Sequence, residues 1–222
     1  MKHGECTMIL GVDVTKNMDG SITLTQNKQI QTIKQHFFPG ETPVPEIWAL
    51  GLKDGAVESV EELVQVPTTE YRTGLGKLSH MRITRSDARP GLAIAAESST
   101  DPRVRNMRKL SETAAYIITT RKMGLTYHRG PMGANPRKML GSWAASDASW
   151  SMTSTGQSRL GYMIWMGDSE YFKSEGVCTA AVRAKSMREL AVSRSATSCE
   201  LAAQVEVTDE IISLRSSRYF EE

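Results

Sequence analysis

At 222 residues, 40% apolar and 23% charged, the chain has an ordinary globular composition and is long enough for one large domain or two small ones. A formal charge of +2 is too mild to mark a nucleic-acid binder by bulk electrostatics, and no apolar run reaches the roughly 18 residues of a membrane span. Three cysteines, Cys6, Cys178 and Cys199, offer neither metal-ligand spacing nor the even count of a disulfide framework, so an intracellular, cytoplasmic or nuclear location is expected rather than secretion.

The chain opens on two β-rich runs, residues 8–14 and 21–30, around Asp19-Gly20, a strong hairpin signal. A short helix over about 26–38 follows. Residues 38–69 carry Pro39, Pro43, Pro45 and Pro67 with three glycines and no sustained period, which reads as an irregular connection. From Glu70 the period turns helical, with Tyr71, Leu75, Leu78 and Met81 on one stripe, weakened by Gly74 and Gly76. A second helix is expected from Ser86-Asp87, with Pro90 in its first turn. A third spans about 102–121, with Met107, Leu110, Ala114, Ile117 and Ile118 as its apolar face. Arg103, Arg105, Arg108 and Lys109 gather at its start. They form a candidate phosphate-contacting patch, although a solvated helix face explains them more simply, and cations are not favoured at a helix N-terminus.

Residues 124–138, rich in Gly, Pro and Asn, mark a boundary. The division expected is 1–128, a linker at 129–138, and 139–222. Three strands are expected in the last part, at 139–147, 159–166 and 177–183. A helix from about Thr197 would then turn Leu201, Val205, Ile211, Ile212 and Leu214 to a core. Asp147 falls at the end of the first of these strands and Glu200 at the start of that helix. A strand carboxylate facing a helix carboxylate is how a two-metal nuclease begins its magnesium site, because magnesium takes hard oxygen ligands from several acids. Each acid also has a structural explanation. Asp147 before Ser149 and Trp150 could begin a turn, and Glu200 fits a capping box opened by Thr197. Trp143, Trp150 and Trp165 suit a core better than a base-stacking platform. Cys199 suits a small apolar role, and His3, His36, His80 and His128 make no ligand pair.

Taken together, these landmarks resemble the Pol polyprotein of copia-type retrotransposons, across the end of the reverse transcriptase and the start of its RNase H domain. ILGVDV with DGSITLTQNKQI resembles that family's FLGIEI…DGSITLSQ hairpin in the primer-grip region. Residues 69–87, ending in TRSD, resemble YRSLVGKLLYL…TRPDI, and residues 114–127 sit where the family has RYLKGT…GLVY. SDASW at 146–150 resembles SDADWA, QSRLGYMIW resembles RSTSGYVFF, and VSRSATSCELAA resembles VALSSTEAEYVA. The resemblance implies an α+β protein: a primer-grip hairpin and helical thumb or connection region, then an incomplete RNase H-like mixed sheet with one covering helix. It also implies that Asp147 and Glu200 are remnants of the catalytic, magnesium-binding pair. The strand bearing the family's third aspartate and the segment with its fourth acid are missing, as is the palm's paired-aspartate motif. The chain therefore reads as a piece of something longer, with polymerase activity not expected and hydrolysis of RNA–DNA hybrids residual at most. The alternative is a noncatalytic module that binds RNA–DNA hybrid, DNA or a protein partner, using the basic helix start and a sheet edge open to a partner chain.

Overall fold

The structure, a computed structural model, describes residues 6–40, 42–50, 59–128, 140–149, 157–168, 181–189 and 195–219. The expected linker 129–138, Trp150 and Cys178 lie outside these residues. The chain forms two compact units, Met1–Thr126 and Tyr127–Glu222.

In the first unit, the turn at Asp19-Gly20 is built as its residues demand. Gly20 takes a φ of 80°, its N–H donates to the Asn17 carbonyl, and the Asp19 carboxylate accepts from the Ser21 amide at 2.9 Å. It joins β2 (Val12–Lys16) to β3 (Ile22–Thr25), with Val14 opposite Leu24. The run at 8–14 is not one strand as expected. Leu10 (φ 49°) and Gly11 (φ 80°) reverse it, so that β1 (Met8–Ile9) folds back on β2 with Ile9 opposite Val12. Two consecutive residues with positive φ make the tight hairpin turn whose twist matches its strands. An exposed Leu in the first position conceals that turn in the sequence. A fourth strand, β4 (Leu125–Tyr127), lies beside β3 where a boundary segment is expected, and the Thr23 and Thr126 hydroxyls meet at 3.1 Å.

Among the described residues, four α-helices complete this unit. α1 (Asn27–Phe37) buries Ile30 and Ile33. α2 (Thr68–Ser79) buries Tyr71, Leu75 and Leu78 despite its two glycines. Gly74 is where the helices touch, since a Cβ there would sit 2.9 Å from Phe37 Cζ. The residue that lowers helix propensity thus allows the packing that restores the helix. Two short 3-10 turns, His80–Ile83 and Ser86–Ala88, lead into α3 (Arg89–Glu97), with Pro90 in its first turn. The helix therefore starts later than Ser86-Asp87, and Asp87 does not cap it. α4 (Val104–Thr119) is the central element, burying Leu110, Ala114, Ala115, Ile117 and Ile118. Ile33, Tyr71, Leu78, Met81, Leu92, Leu110 and Ile117 have no exposed surface. Each such side chain contributes about 1.5–3 kcal/mol, which is what holds helices of modest intrinsic propensity.

In the second unit, β5 (Leu140–Ser149), β6 (Arg159–Asp168) and β7 (Arg183–Arg188) form a sheet in the order β5-β6-β7, and α5 (Ala196–Tyr219) packs on one face. Both pairings are antiparallel, so among the described residues the sheet is not the mixed one expected. The third strand occupies 183–188 rather than 177–183, of which 177–180 lie outside the described residues. RAKSMR has a poor strand pattern by apolar count, yet Arg183 and Lys185 point at α5 and pair with Glu210 and with Glu206 at 2.6 Å. α5 is rotated from the expected orientation. Leu201, Val205 and Ile212 are exposed, whereas Cys199, Ala203 and Val207 are buried, with Ile211 and Leu214 partly covered. Both sides of the helix are apolar. The side with small residues lets the backbone approach the sheet closely and so takes the interface.

Candidate functional site

The register of the second sheet settles where Asp147 points. Ala148, Leu160 and Met187 are cross-strand neighbours packed with Cys199 and Ala203 of α5. Alternate residues of a strand face opposite ways, so Asp147, opposite Gly161 and Ser186, lies on the face away from α5, where it is exposed. Glu200 is also exposed. At about 100° per residue it lies on the flank of α5 opposite Glu206, and hence toward β5. Ala148 and Cys199, the chain neighbours of the two acids, share the cluster around Leu160. The fold thus brings both positions to one end of the sheet but presents their side chains on different faces. Among the described residues no three His, Cys, Asp or Glu side chains are grouped to hold a metal ion. Asp147 and Glu200 supply two of the several acids that a magnesium site takes.

Glu200 is not the cap of α5. Ser195 and Ser198 cap it reciprocally, the Ser198 amide donating to Ser195 Oγ at 3.2 Å and the Ser195 amide to Ser198 Oγ at 3.1 Å. A serine at the third helical position replaces the usual Glu, and the Glu200 carboxylate is left in solvent. Cys199 is fully buried, as suits a small apolar residue. Trp143 and Trp165 stand directly opposite each other, both half-buried, with the Trp143 ring over Gly141.

The basic group at the start of α4 is offset by local acids. Arg103 donates to Asp101 at 2.6 Å and to the Leu63 carbonyl at 2.9 Å. Arg108 pairs with Glu62 at 2.7 Å. Arg105 is half-buried and lines a cleft of ≈ 510 Å³ with Ser98, Asp101, Asn106 and Glu97. Lys109 is half-buried and accepts, through its carbonyl, a hydrogen bond from the Thr113 hydroxyl. Both signs of charge meet here.

Among the described residues, a densely connected polar cluster lies elsewhere, in the TRSD stretch. Arg85 is the largest fully buried side chain among the described residues, 1% exposed. It donates to Asp87 through Nε (3.0 and 3.2 Å) and Nη2 (2.7 Å), to Thr120 Oγ1 at 2.6 Å, and to the Thr120 and Ile117 carbonyls at 3.3 and 3.4 Å. Its guanidinium lies 5.2 Å from the centre of the Tyr116 ring, and the Tyr116 hydroxyl donates to Asp87 at 2.6 Å. The last carbonyls of a helix lack partners within it, and Arg85 supplies them for α4 with a positive charge on the favourable end of the dipole. Burial works against the Asp87 carboxylate, but the Arg85 and Tyr116 hydrogen bonds and the Arg85 charge outweigh it and hold its pKa below the usual value. Burial, then the bond to Asp87, pushes the Tyr116 phenol up. The sequence carries one sign of this cluster, an Arg and an Asp two residues apart beside a helical stripe. That sign does not separate a buried pair from a surface one. No family model, curated protein or solved structure matches this chain.

Proposed function

We infer that the chain is a degenerate copy of the reverse transcriptase–RNase H junction of a copia-type Pol polyprotein, without polymerase activity and with residual hydrolysis of RNA–DNA hybrids at most. One observation supports this reading above the motif resemblance. Three antiparallel strands in chain order are followed by a helix on one face, with the two acid positions at the same end of the sheet. A nuclease sheet of this type needs that scaffold before any ligand is added. What argues against working catalysis is equally concrete, since Asp147 and Glu200 face different ways and have no third acid beside them among the described residues. The protein then acts, if it meets nucleic acid, as a binding module with a sheet edge that a partner chain can complete.

A labelled RNA–DNA hybrid incubated with the full chain and magnesium or manganese tests both parts. Binding that weakens with salt, without cleavage, is expected. Cleavage lost in Asp147→Asn would show that the site still works, and absence of any salt-dependent binding would remove the nucleic-acid reading. The ancestry has its own test in the flanking DNA, where a paired-aspartate frame upstream and an Asp-bearing strand downstream are expected. Their absence counts against descent from such a polyprotein.

A further inference from the structure

The four-stranded sheet of the first unit is joined to its helices at two neighbouring roots. β3 ends at Thr25 and α1 begins at Asn27, with Gln26 between them. α4 ends at Thr119 and β4 begins at Leu125. Since β3 and β4 are adjacent in the sheet, both roots leave the helical core side by side. Among the described residues, the extensive pairings of this sheet are strand to strand. The bonds made at the two roots therefore bear on the angle between sheet and core.

Consecutive residues of one short connection, Thr84 and Arg85, hold both. Thr84, 1% exposed, donates its hydroxyl to Gln26 Oε1 at 2.8 Å, and Gln26 is itself 4% exposed. Arg85 grips the other root through Thr120 Oγ1 and the Thr120 and Ile117 carbonyls, and is itself held by Asp87. Thr84 and Arg85 are in turn anchored by their own amides, which donate to the Met81 carbonyl at 3.2 and 2.9 Å. A third tie reaches from the sheet to the same place. Asp13 of β2 accepts from the Asn27 amide at 2.9 Å, capping α1 from another element. The roots also touch directly, because a Cβ on Gly124 would lie 2.4 Å from the Leu24 carbonyl oxygen. One dipeptide thus holds two neighbouring connections between sheet and helices.

We propose that Thr84 and Arg85 form a conformational clamp that sets the angle of the β1–β4 sheet against the helical core. Releasing the clamp converts the two roots into a working hinge while leaving the strands paired and the helices folded. Other buried polar ties in this unit, such as the Tyr71 hydroxyl on the Ala95 carbonyl, join helix to helix and leave the roots untouched.

Residual dipolar couplings of backbone amides in the full chain read the relative orientation of sheet and helices directly. In the wild type, the amides of β2 and β3 and those of α1, α2 and α4 are expected to fit one alignment tensor. In Thr84→Val and in Arg85→Met the sheet amides should lose that common tensor, with reduced couplings, while amide exchange still shows β2 paired to β3. Retention of one tensor in either variant that folds would overturn the proposal, and so would two tensors in the wild type. Thr84→Val changes no charge and almost no volume, so it decides the matter alone if Arg85→Met does not fold. Tyr71→Phe is the control, and loss of the common tensor there as well would reduce the clamp to general destabilisation and sink it.

Discussion

Replacing Arg85 by Met keeps the length of the side chain and removes its charge and all its donors. Asp87 is then left with the Tyr116 hydroxyl as its remaining side-chain partner. Removing one partner of a buried ion pair costs about 3–5 kcal/mol, and the 30% exposure of the Asp87 side chain allows water in and favours the lower end. The contact with the Tyr116 ring adds about 1 kcal/mol. The carbonyl contacts at 3.3 and 3.4 Å are long and contribute less than the ion pair. The expected loss is roughly 4 kcal/mol, a large share of a domain stability of about 5–15 kcal/mol. Native-state hydrogen exchange at the Ile117 and Ile118 amides of α4 measures it, because deeply buried helix amides open only when the unit unfolds. Asp87→Leu added to Arg85→Met should recover part of the loss, giving a coupling energy of about 2 kcal/mol or more. A loss under about 1 kcal/mol, or two variants whose effects simply add, would refute the reasoning.

The same network predicts how stability varies with pH. The folded pKa of Asp87 lies below its ordinary 3.8, so its contribution is fully present above that value and is lost as pH falls through the folded pKa. The Tyr116 phenol is shifted up from 10.0, so its contribution is present below pH 10 and lost as pH rises through its folded pKa. Urea titration across pH should show both limbs reduced in Asp87→Asn, and unchanged limbs would contradict the assignment. At the start of α5, Ser195→Ala or Ser198→Ala should speed exchange of the first-turn amides and cost about 1 kcal/mol, whereas Glu200→Gln should leave them unaffected. Protection lost in Glu200→Gln instead would return that residue to the capping role. Gly124→Ala should destabilise the first unit by about 1–3 kcal/mol, because the new methyl meets backbone rather than a movable side chain. An unchanged thermal midpoint would show that the strands can separate at that point.

Much of the fold is legible in the order of the residues where the signal is local. Asp19-Gly20 needs only its own turn chemistry, and the stripes of α2 and α4 follow from spacing alone. The turn at Leu10-Gly11 is concealed because the exposed Leu10 extends an apolar run that reads as strand. The orientation of α5 is concealed because two of its faces are apolar, and the larger Leu201, Val205 and Ile212 outweigh Cys199 and Ala203 on any scale of hydrophobicity. β7 is misplaced for a related reason, since its charged residues face inward to acids of a helix some twenty residues later. The candidate site is half legible. Asp147 and Glu200 can be singled out by type and position, but the face each one presents depends on strand register and on which serine caps the helix.

By itself the sequence determined the α+β class, the hairpin, the helical stripes and the placement of Asp147 on a strand and Glu200 on a helix, all of which rest on periods and turn residues within about a dozen positions. Only the tertiary structure decided that Arg85 is buried, that it closes the end of α4 some thirty residues away, and that Asp147 and Glu200 point apart. The reason is one of range. Burial of a charge, the choice between two apolar faces and the direction of a strand side chain are set by what lies opposite, and what lies opposite is distant in the chain.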